Sequence, residues 1–358
     1  MLEPICLSAP LPSYRLETPS LATAEPDLVR LWRENLSLRA PAAHKFAWTC
    51  RDVPEPPTEL VLRAGPEAVG CVGVMPRVFS LRGQPVRGAI LGDLAVDASH
   101  RSLMPALMLV RAARKAALEH GTFSYGLPNP AAAPVLKRCG FRTLGSLTRY
   151  ARVLRHARYM RRRISVPVLA QVAAPIVDGA RFAGMLAPAA RALTHLRLEW
   201  LTATDSRFDD LWRRARSSYD LVGERSASFL RWRFLEHPDE RCEIAALVDR
   251  ASGDAIQAYA VVLREAEFAR IRDLFGVRDH LGSLLDLLVP ALLLRGVVSA
   301  SIRFLGHSDV EALLLDRGFA ARETTWPVVY DCAPGSVPSA ADLGDKNRWH
   351  LTDADEDI

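Results

Sequence analysis

Apolar positions along the chain change period several times, and each change marks an element. Leu28, Leu31, Trp32 and Leu36 recur at the spacing of one helix face, so residues 23–36 are expected to be helical. Residues 60–63 and 69–75 are short apolar runs, which predicts two strands broken by the hairpin signal Ala64-Gly65-Pro66. A third strand is expected over 78–81 and, past Arg82-Gly83-Gln84-Pro85, a fourth over 89–96. Leu103, Leu107, Val110, Ala113 and Ala117 then share one face of a helix running from about Met104 to His120, with Gly121 as its stop. A short strand over 123–127 and a helix over 131–139, ended by Gly140, complete the unit. Helix, strand meander, helix, strand, helix is an α+β plan around a mixed, mainly antiparallel sheet.

The plan occurs twice. Trp48 stands six residues before Pro54, and Trp232 six before Pro238, 184 positions further on. Asp93-Leu94 returns as Asp273-Leu274, and Gly140-Phe141 as Gly318-Phe319, at offsets of 180 and 178. Offsets that drift slowly through small loop changes are what a duplicated domain leaves, and the period far exceeds that of a solenoid repeat. In the second copy, strands are expected over 244–248, 255–263 and 270–275, a helix over 284–294, then a strand over 300–305 and a helix over 310–316. Two tandem domains follow, 1–155 and 196–335, with a linker over 156–195. The polar stretch 336–358, which ends in Asp353-Ala354-Asp355-Glu356-Asp357, reads as a solvated acidic tail.

Composition narrows the function classes. The net charge of +5 comes from seven arginines and no acid between Arg149 and Arg163, so the remainder is slightly acidic and no nucleic-acid partner is implied. That segment admits two readings. A basic amphipathic helix over 149–163 would lie on an anionic membrane surface; a last strand over 147–154 agrees better with the domain plan. Six scattered cysteines show neither a C-x-x-C pair nor zinc spacing, so reduced thiols in a cytosolic protein and no metal are expected. The longest uncharged apolar stretch, Ile164 to Val177, holds two prolines and is too short to span a bilayer. The expected location is the cytoplasm, with peripheral contact at the inner membrane face as the variant.

The chemistry sits in Leu91 to Ala106 and Asn129 to Phe141. The stretch Arg101-Ser102-Leu103-Met104-Pro105-Ala106 resembles the pyrophosphate loop of the GNAT acyl-CoA N-acyltransferases, Gln/Arg-x-x-Gly-x-Gly/Ala, with Met104 where the first glycine belongs. Asn129, Ala132, Gly140 and Phe141 fit the family's later helix. The resemblance covers residues 20–150 and, more faintly, 196–332, so the second copy resembles a degenerate domain. Physically, the free amides of a helix N-terminus are a ready site for a diphosphate, while Pro105 removes one donor. An ordinary helix cap by Ser102 is the structural alternative.

The resemblance implies acetyl-CoA or another acyl-CoA as co-substrate, held by Leu94, Ala95, Val96, Arg101, Ser102, Leu103, Met104, Ala106 and Asn129. It also implies direct attack of an amine on the thioester, with a base and an acid to move protons. Asp93 on the fourth strand is the candidate base. The family's tyrosine acid falls at Leu136, which leaves Tyr125 as the candidate acid. In the second copy, Arg225, Arg231, Trp232 and Arg233 form an aromatic-plus-arginine cluster suited to clamp a polar acceptor, a small-molecule or sugar- or lipid-linked amine. The competing reading of that cluster is a helix with an aromatic core face. Two rival functions remain at this point: a tRNA-dependent aminoacyltransferase of the peptidoglycan-bridge type, and a non-catalytic GNAT-like binding protein of a polysaccharide or lipid pathway.

Overall fold

A computed structural model of the chain describes residues 13–155, 179, 183–185 and 187–356. In the first domain, β1 (Tyr14–Glu17), α1 (Leu21–Asn35) and α2 (Ala42–Phe46) lead into the meander β2 (Thr58–Ala64), β3 (Glu67–Leu81) and β4 (Gln84–Val96). Helix α3 (Leu103–His120), β5 (Phe123–Gly126), α4 (Ala133–Arg138) and β6 (Arg142–Val153) follow. The second domain repeats this order with β7 (Leu196–Leu201), a helix Ser206–Ala215, β8 (Leu221–Gly223), β9 (Cys242–Asp249), β10 (Ala255–Glu265) and β11 (Phe268–Gly276). A helix Arg278–Leu294, β12 (Ser299–Gly306), a helix Ser308–Asp316, β13 (Ala320–Cys332) and β14 (Trp349–Leu351) complete it.

The two domains share one mixed sheet of order β1-β2-β3-β4-β5-β13-β6-β12-β11-β10-β9-β7. Each domain has given its last strand to the other: β13 pairs with β5, and β6 pairs with β12, while β6 and β13 pair with each other at the centre. Most neighbours are antiparallel; β4 with β5 and β11 with β12 are parallel, as a helical crossover requires. Helices α1 and α3 cover opposite faces of the first sheet half, burying Leu28, Leu31 and Trp32 on one side and Leu109, Val110 and Ala113 on the other.

Three expectations are corrected. The predicted strands 69–75 and 78–81 are one strand, β3, because Pro76 falls between the end of the β2 pairing at Val74 and the start of the β8 pairing at Phe79, where that edge has no strand partner among the described residues. Of the two readings of the basic segment the amphipathic helix gives way to the last strand: Arg149 and Arg152 lie in β6, and Arg149 pairs with Glu323 on β13 at 2.6 Å. Residues 156–163 of the proposed amphipathic helix lie outside the described residues.

The third correction is the largest. The acidic end of the chain is buried, with Asp353, Ala354 and Asp355 at most 2% exposed. Asp355 forms an ion pair with the fully buried Arg225 at 2.6 Å, and Asp353 lies 2.9 Å from Arg272 and 2.8 Å from Arg303. These arginines come from the second domain's loops and strands, and they neutralise in the interior what an isolated acidic run would keep in water.

Candidate functional site

β4 and β5 pair only from Gly88–Phe123 to Ile90–Tyr125. Beyond Ile90 the strands run unpaired with each other, and a cleft of about 610 Å³ opens between them. Its walls are Leu91 to Leu94 of β4, Leu127 to Asn129 after β5, Val110 of α3, Leu136 of α4 and the loop Asn35 to Ala40 after α1. His237, Pro238, Asp239 and Glu240 of the second domain close the far side.

A β-bulge shapes the floor. The register steps from Cys71–Ala95 to Gly73–Gly92, so Asp93 and Leu94 together oppose the single residue Val72. Asp93 takes φ of +56°, an uncommon conformation for a residue with a side chain. Its carboxylate meets Lys45 Nζ of α2 at 2.9 Å, and both side chains are nearly buried. Burial pushes the Asp93 carboxyl above its ordinary range while Lys45 opposes the shift. Behind them Glu59 of β2 is pushed up to about 8, by burial first and by the Asp93 charge second. Gly73 makes room for it, since a Cβ there would stand 2.7 Å from Glu59 Oε1.

The second domain keeps the bulge and loses the cleft. Between Val261–Asp273 and Val262–Ile271 the register again skips one residue, Arg272. β11 and β12 likewise part after Ile271–Ile302. The opening is filled by the chain's own end: β14 pairs His350 with Gly306, and His350 Nε2 donates to the Leu274 carbonyl at 2.8 Å. Asp273, the counterpart of Asp93, is saturated by Arg225, Tyr259 and Thr352 at 2.9, 2.8 and 2.6 Å.

Of the residues expected to hold the cofactor, Leu94 and Asn129 line the cleft. Ala95 is buried against α1. Arg101 reaches back to the half-buried Val96, whose carbonyl accepts from its Nε at 3.1 Å, and to Asn35 Oδ1 at 3.0 Å. Asn35 lines the cleft, so the loop into α3 stands at its rim. Ser102 occupies the N-cap of α3 yet makes no side-chain cap, which leaves that helix start without the expected alternative role. Leu103 and Met104 are 47% and 57% exposed, so neither side chain is packed into the core. Ala106 packs half-buried on the core beneath.

Asn129 has a definite local task. Its Oδ1 accepts from the amides of Ala131 and Ala132 at 3.0 and 2.9 Å, turning the chain into α4. His307, in the matching place of the second copy, performs the same turn by accepting from the Asp309 amide at 3.2 Å.

The remaining expectations are corrected. Tyr125 is fully buried, and its hydroxyl donates to the Asp355 carbonyl at 3.0 Å, outside the cleft. Burial holds that hydroxyl well above its ordinary range, and its place outside the cleft keeps it from the leaving group. Arg225 and Arg233 are buried too; Arg233 donates to the Asp353 carbonyl at 2.8 Å. Arg231 is exposed and pairs with Glu236 at 3.4 Å. Trp232 is buried against Trp48. None of the four lines the cleft; Arg225 and Arg233 hold the second domain to residues 353–355, Trp232 holds it to the first domain, and Arg231 makes a local surface pair.

Sequence reasoning missed Lys45, Glu59, His237 and Glu240. Lysine is scarce here, four residues against 42 arginines, and one of those four stands beside Phe46 and Trp48 in an apolar run, which was a usable signal. His237 carried none. Its Nδ1 accepts from the amides of Asp239 and Glu240, both at 3.2 Å, and its ring lies 4.3 Å from that of Trp48. Burial lowers it to about 4, so at neutral pH it is uncharged with Nε2 bearing the proton.

Residues 25–141 match the model of the acetyltransferase (GNAT) family. Solved structures share the fold over most of the chain. A GCN5-related N-acetyltransferase from Anabaena variabilis is 12% identical with a TM-score of 0.63, covering 89% of this chain and 73% of its own. A tandem GNAT protein from the clavulanic acid biosynthesis pathway is 17% identical with a TM-score of 0.51, covering 90% and 100%. The N-myristoyltransferase of Saccharomyces cerevisiae, solved with myristoyl-CoA, is 14% identical with a TM-score of 0.52, covering 92% and 80%. No curated protein matches the chain by sequence. The chain therefore folds as two tandem GNAT domains.

Proposed function

We propose that the protein transfers an acyl group, acetyl or longer, from CoA to an amine, and that the first domain alone carries the reaction. The observation behind this is the contrast between two related wedges. One is open and bordered by Asp93 and Lys45; the other is filled by the chain's own His350 and its aspartate is fully bonded.

Three features along the first wedge support an acyl-CoA there. The uncapped first turn of α3 offers the amides of Leu103 and Met104 to a diphosphate. Among the described residues the β5-facing edge of β4 past Ile90 has no strand partner, so an extended chain of amides such as a pantetheine arm can pair with it as an added strand would. That path leads to the bulge at Asp93. An amine entering from the side of Arg39, His237 and Asp239 would attack the thioester carbonyl there; a C–N bond forms, the C–S bond breaks, and Asp93 takes the amine proton. The acceptor class that suits this polar rim is a small-molecule or sugar- or lipid-linked amine.

Calorimetric titration with acetyl-CoA and longer acyl-CoAs tests the reading, repeated on Ser102→Asp. An aspartate at an N-cap favours the helix but repels a diphosphate at the same amides. The expected result is binding by the native protein, weakened about tenfold or more in the variant, which is about 1.4 kcal/mol, with no loss of thermal stability. Absence of binding to every acyl-CoA would overturn the proposal.

A further inference from the structure

Acyl transfer leaves one proton to be supplied. The departing thiolate needs it, and the two expected donors are missing: Leu136 has none to give, and the Tyr125 hydroxyl is buried outside the cleft. His237 is uncharged at neutral pH, and giving up its Nε2 proton would leave an imidazolate. Arg39, also on the wall, holds its protons too tightly to act as an acid. Among the described residues Lys45 is the remaining cation on the wall, and the fold takes care over its position. Its ammonium lies 2.9 Å from Asp93 and 5.3 Å from the Trp32 ring, and its backbone carbonyl accepts from Thr49 Oγ1 at 2.9 Å.

We propose that Lys45 is the proton donor to the departing thiolate and that Lys45 and Asp93 form one relay at the cleft floor. Asp93 takes the proton from the attacking nitrogen, Lys45 gives one to sulfur, and the proton on Asp93 passes to Lys45 across their contact, which restores the starting state. The net change is one C–S bond broken, one C–N bond made and one proton moved from nitrogen to sulfur. No other co-reactant is needed. Glu59 fits this arrangement, because a carboxyl pushed up to about 8 stays protonated at neutral pH and leaves Lys45 and Asp93 as a balanced pair. The inference rests on the acyl-transfer reading above.

Lys45→Arg separates the roles, since a guanidinium keeps the ion pair but not the acidity. Thiol release from acetyl-CoA is followed with hydroxylamine as the surrogate amine, corrected for the uncatalysed reaction, and acetyl-CoA binding is measured by calorimetry on the same samples. Lys45→Arg is expected to bind within a few-fold of the native protein and to release thiol about a hundredfold more slowly. Adding Leu136→Tyr is expected to restore at least tenfold of that loss. Should arginine not be accommodated, Lys45→Met with Asp93→Asn removes both charges together and is expected to bind acetyl-CoA without turnover. Thiol release by Lys45→Arg at the native rate would overturn the relay while leaving the acyltransferase reading intact. A native protein that binds acetyl-CoA without accelerating its aminolysis would also overturn the relay, and one that binds no acyl-CoA removes both.

Discussion

Trp48 and Trp232 hold each other. The indole N–H of Trp48 donates to the Trp232 carbonyl at 2.9 Å, that of Trp232 donates to the Trp48 carbonyl at 3.0 Å, and the rings stack with centroids 5.4 Å apart. Each sits in a π-helical turn, Ala47–Arg51 or Arg231–Leu235. This is the self-complementary contact of a two-fold dimer, written within one chain. Together with the exchanged strands β6 and β13 it makes the halves a fused, interlocked pair, and it explains why the expected acceptor-binding tryptophan is structural.

The reciprocity predicts matched costs. Trp48→Phe and Trp232→Phe each strip a buried carbonyl of its donor, so each is expected to lower stability by about 1–3 kcal/mol in urea denaturation. A large cost at one position and none at the other would show that the contact is not a symmetric brace.

The buried end of the chain predicts a larger effect. Asp355→Ala leaves the fully buried Arg225 with Asp273 as its one acidic partner among the described residues, and a broken buried pair costs about 3–5 kcal/mol. The Asp355 carboxyl, although penalised by burial, is held below its ordinary range by Arg225. Its stabilising effect is therefore present above the unfolded value of about 3.9 and is lost as pH falls through the lower folded value. Acid unfolding should accordingly be less steep in the variant than in the native protein.

Glu59 gives the opposite sign. Its carboxyl is raised to about 8, so the stability linked to its proton is fully present below its unfolded value and declines until pH passes about 8. Glu59→Gln is expected to flatten this alkaline decline in a pH series of thermal unfolding. A decline of unchanged slope would contradict the assignment.

Asn129 is expected to behave as a capping residue. Asn129→Ala should lower stability by about 0.5–2 kcal/mol, with acyl-CoA affinity within a few-fold of native. Unchanged stability with lost affinity would show instead that the side chain is a direct ligand contact.

How much of this was legible in the sequence depends on the range of the forces involved. Helix α3, the β2–β3 hairpin and the duplicated Asp93-Leu94 and Asp273-Leu274 were visible because periodicity and spacing are local properties. The exchange of β6 and β13 was not, since either strand carries the same alternating pattern whichever sheet receives it. Asp353 and Asp355 read as solvated because their partners, Arg225, Arg272 and Arg303, are at least 50 residues away. Arg225 and Arg233 failed as acceptor candidates for the same reason. Asp93 was found because it lies on a strand the motif identifies; Lys45, brought to it by a helix 48 residues earlier, was not.

The account's central claim is that one wedge of the pair takes acyl-CoA and the other is closed by residues 349–356. Crystals of the full chain grown with CoA test it most directly. Density is predicted along β4 past Ile90, with the diphosphate at the Leu103 and Met104 amides, one molecule per chain. A first wedge that stays empty, or CoA found instead between β11 and β12 with His350 displaced, would contradict it.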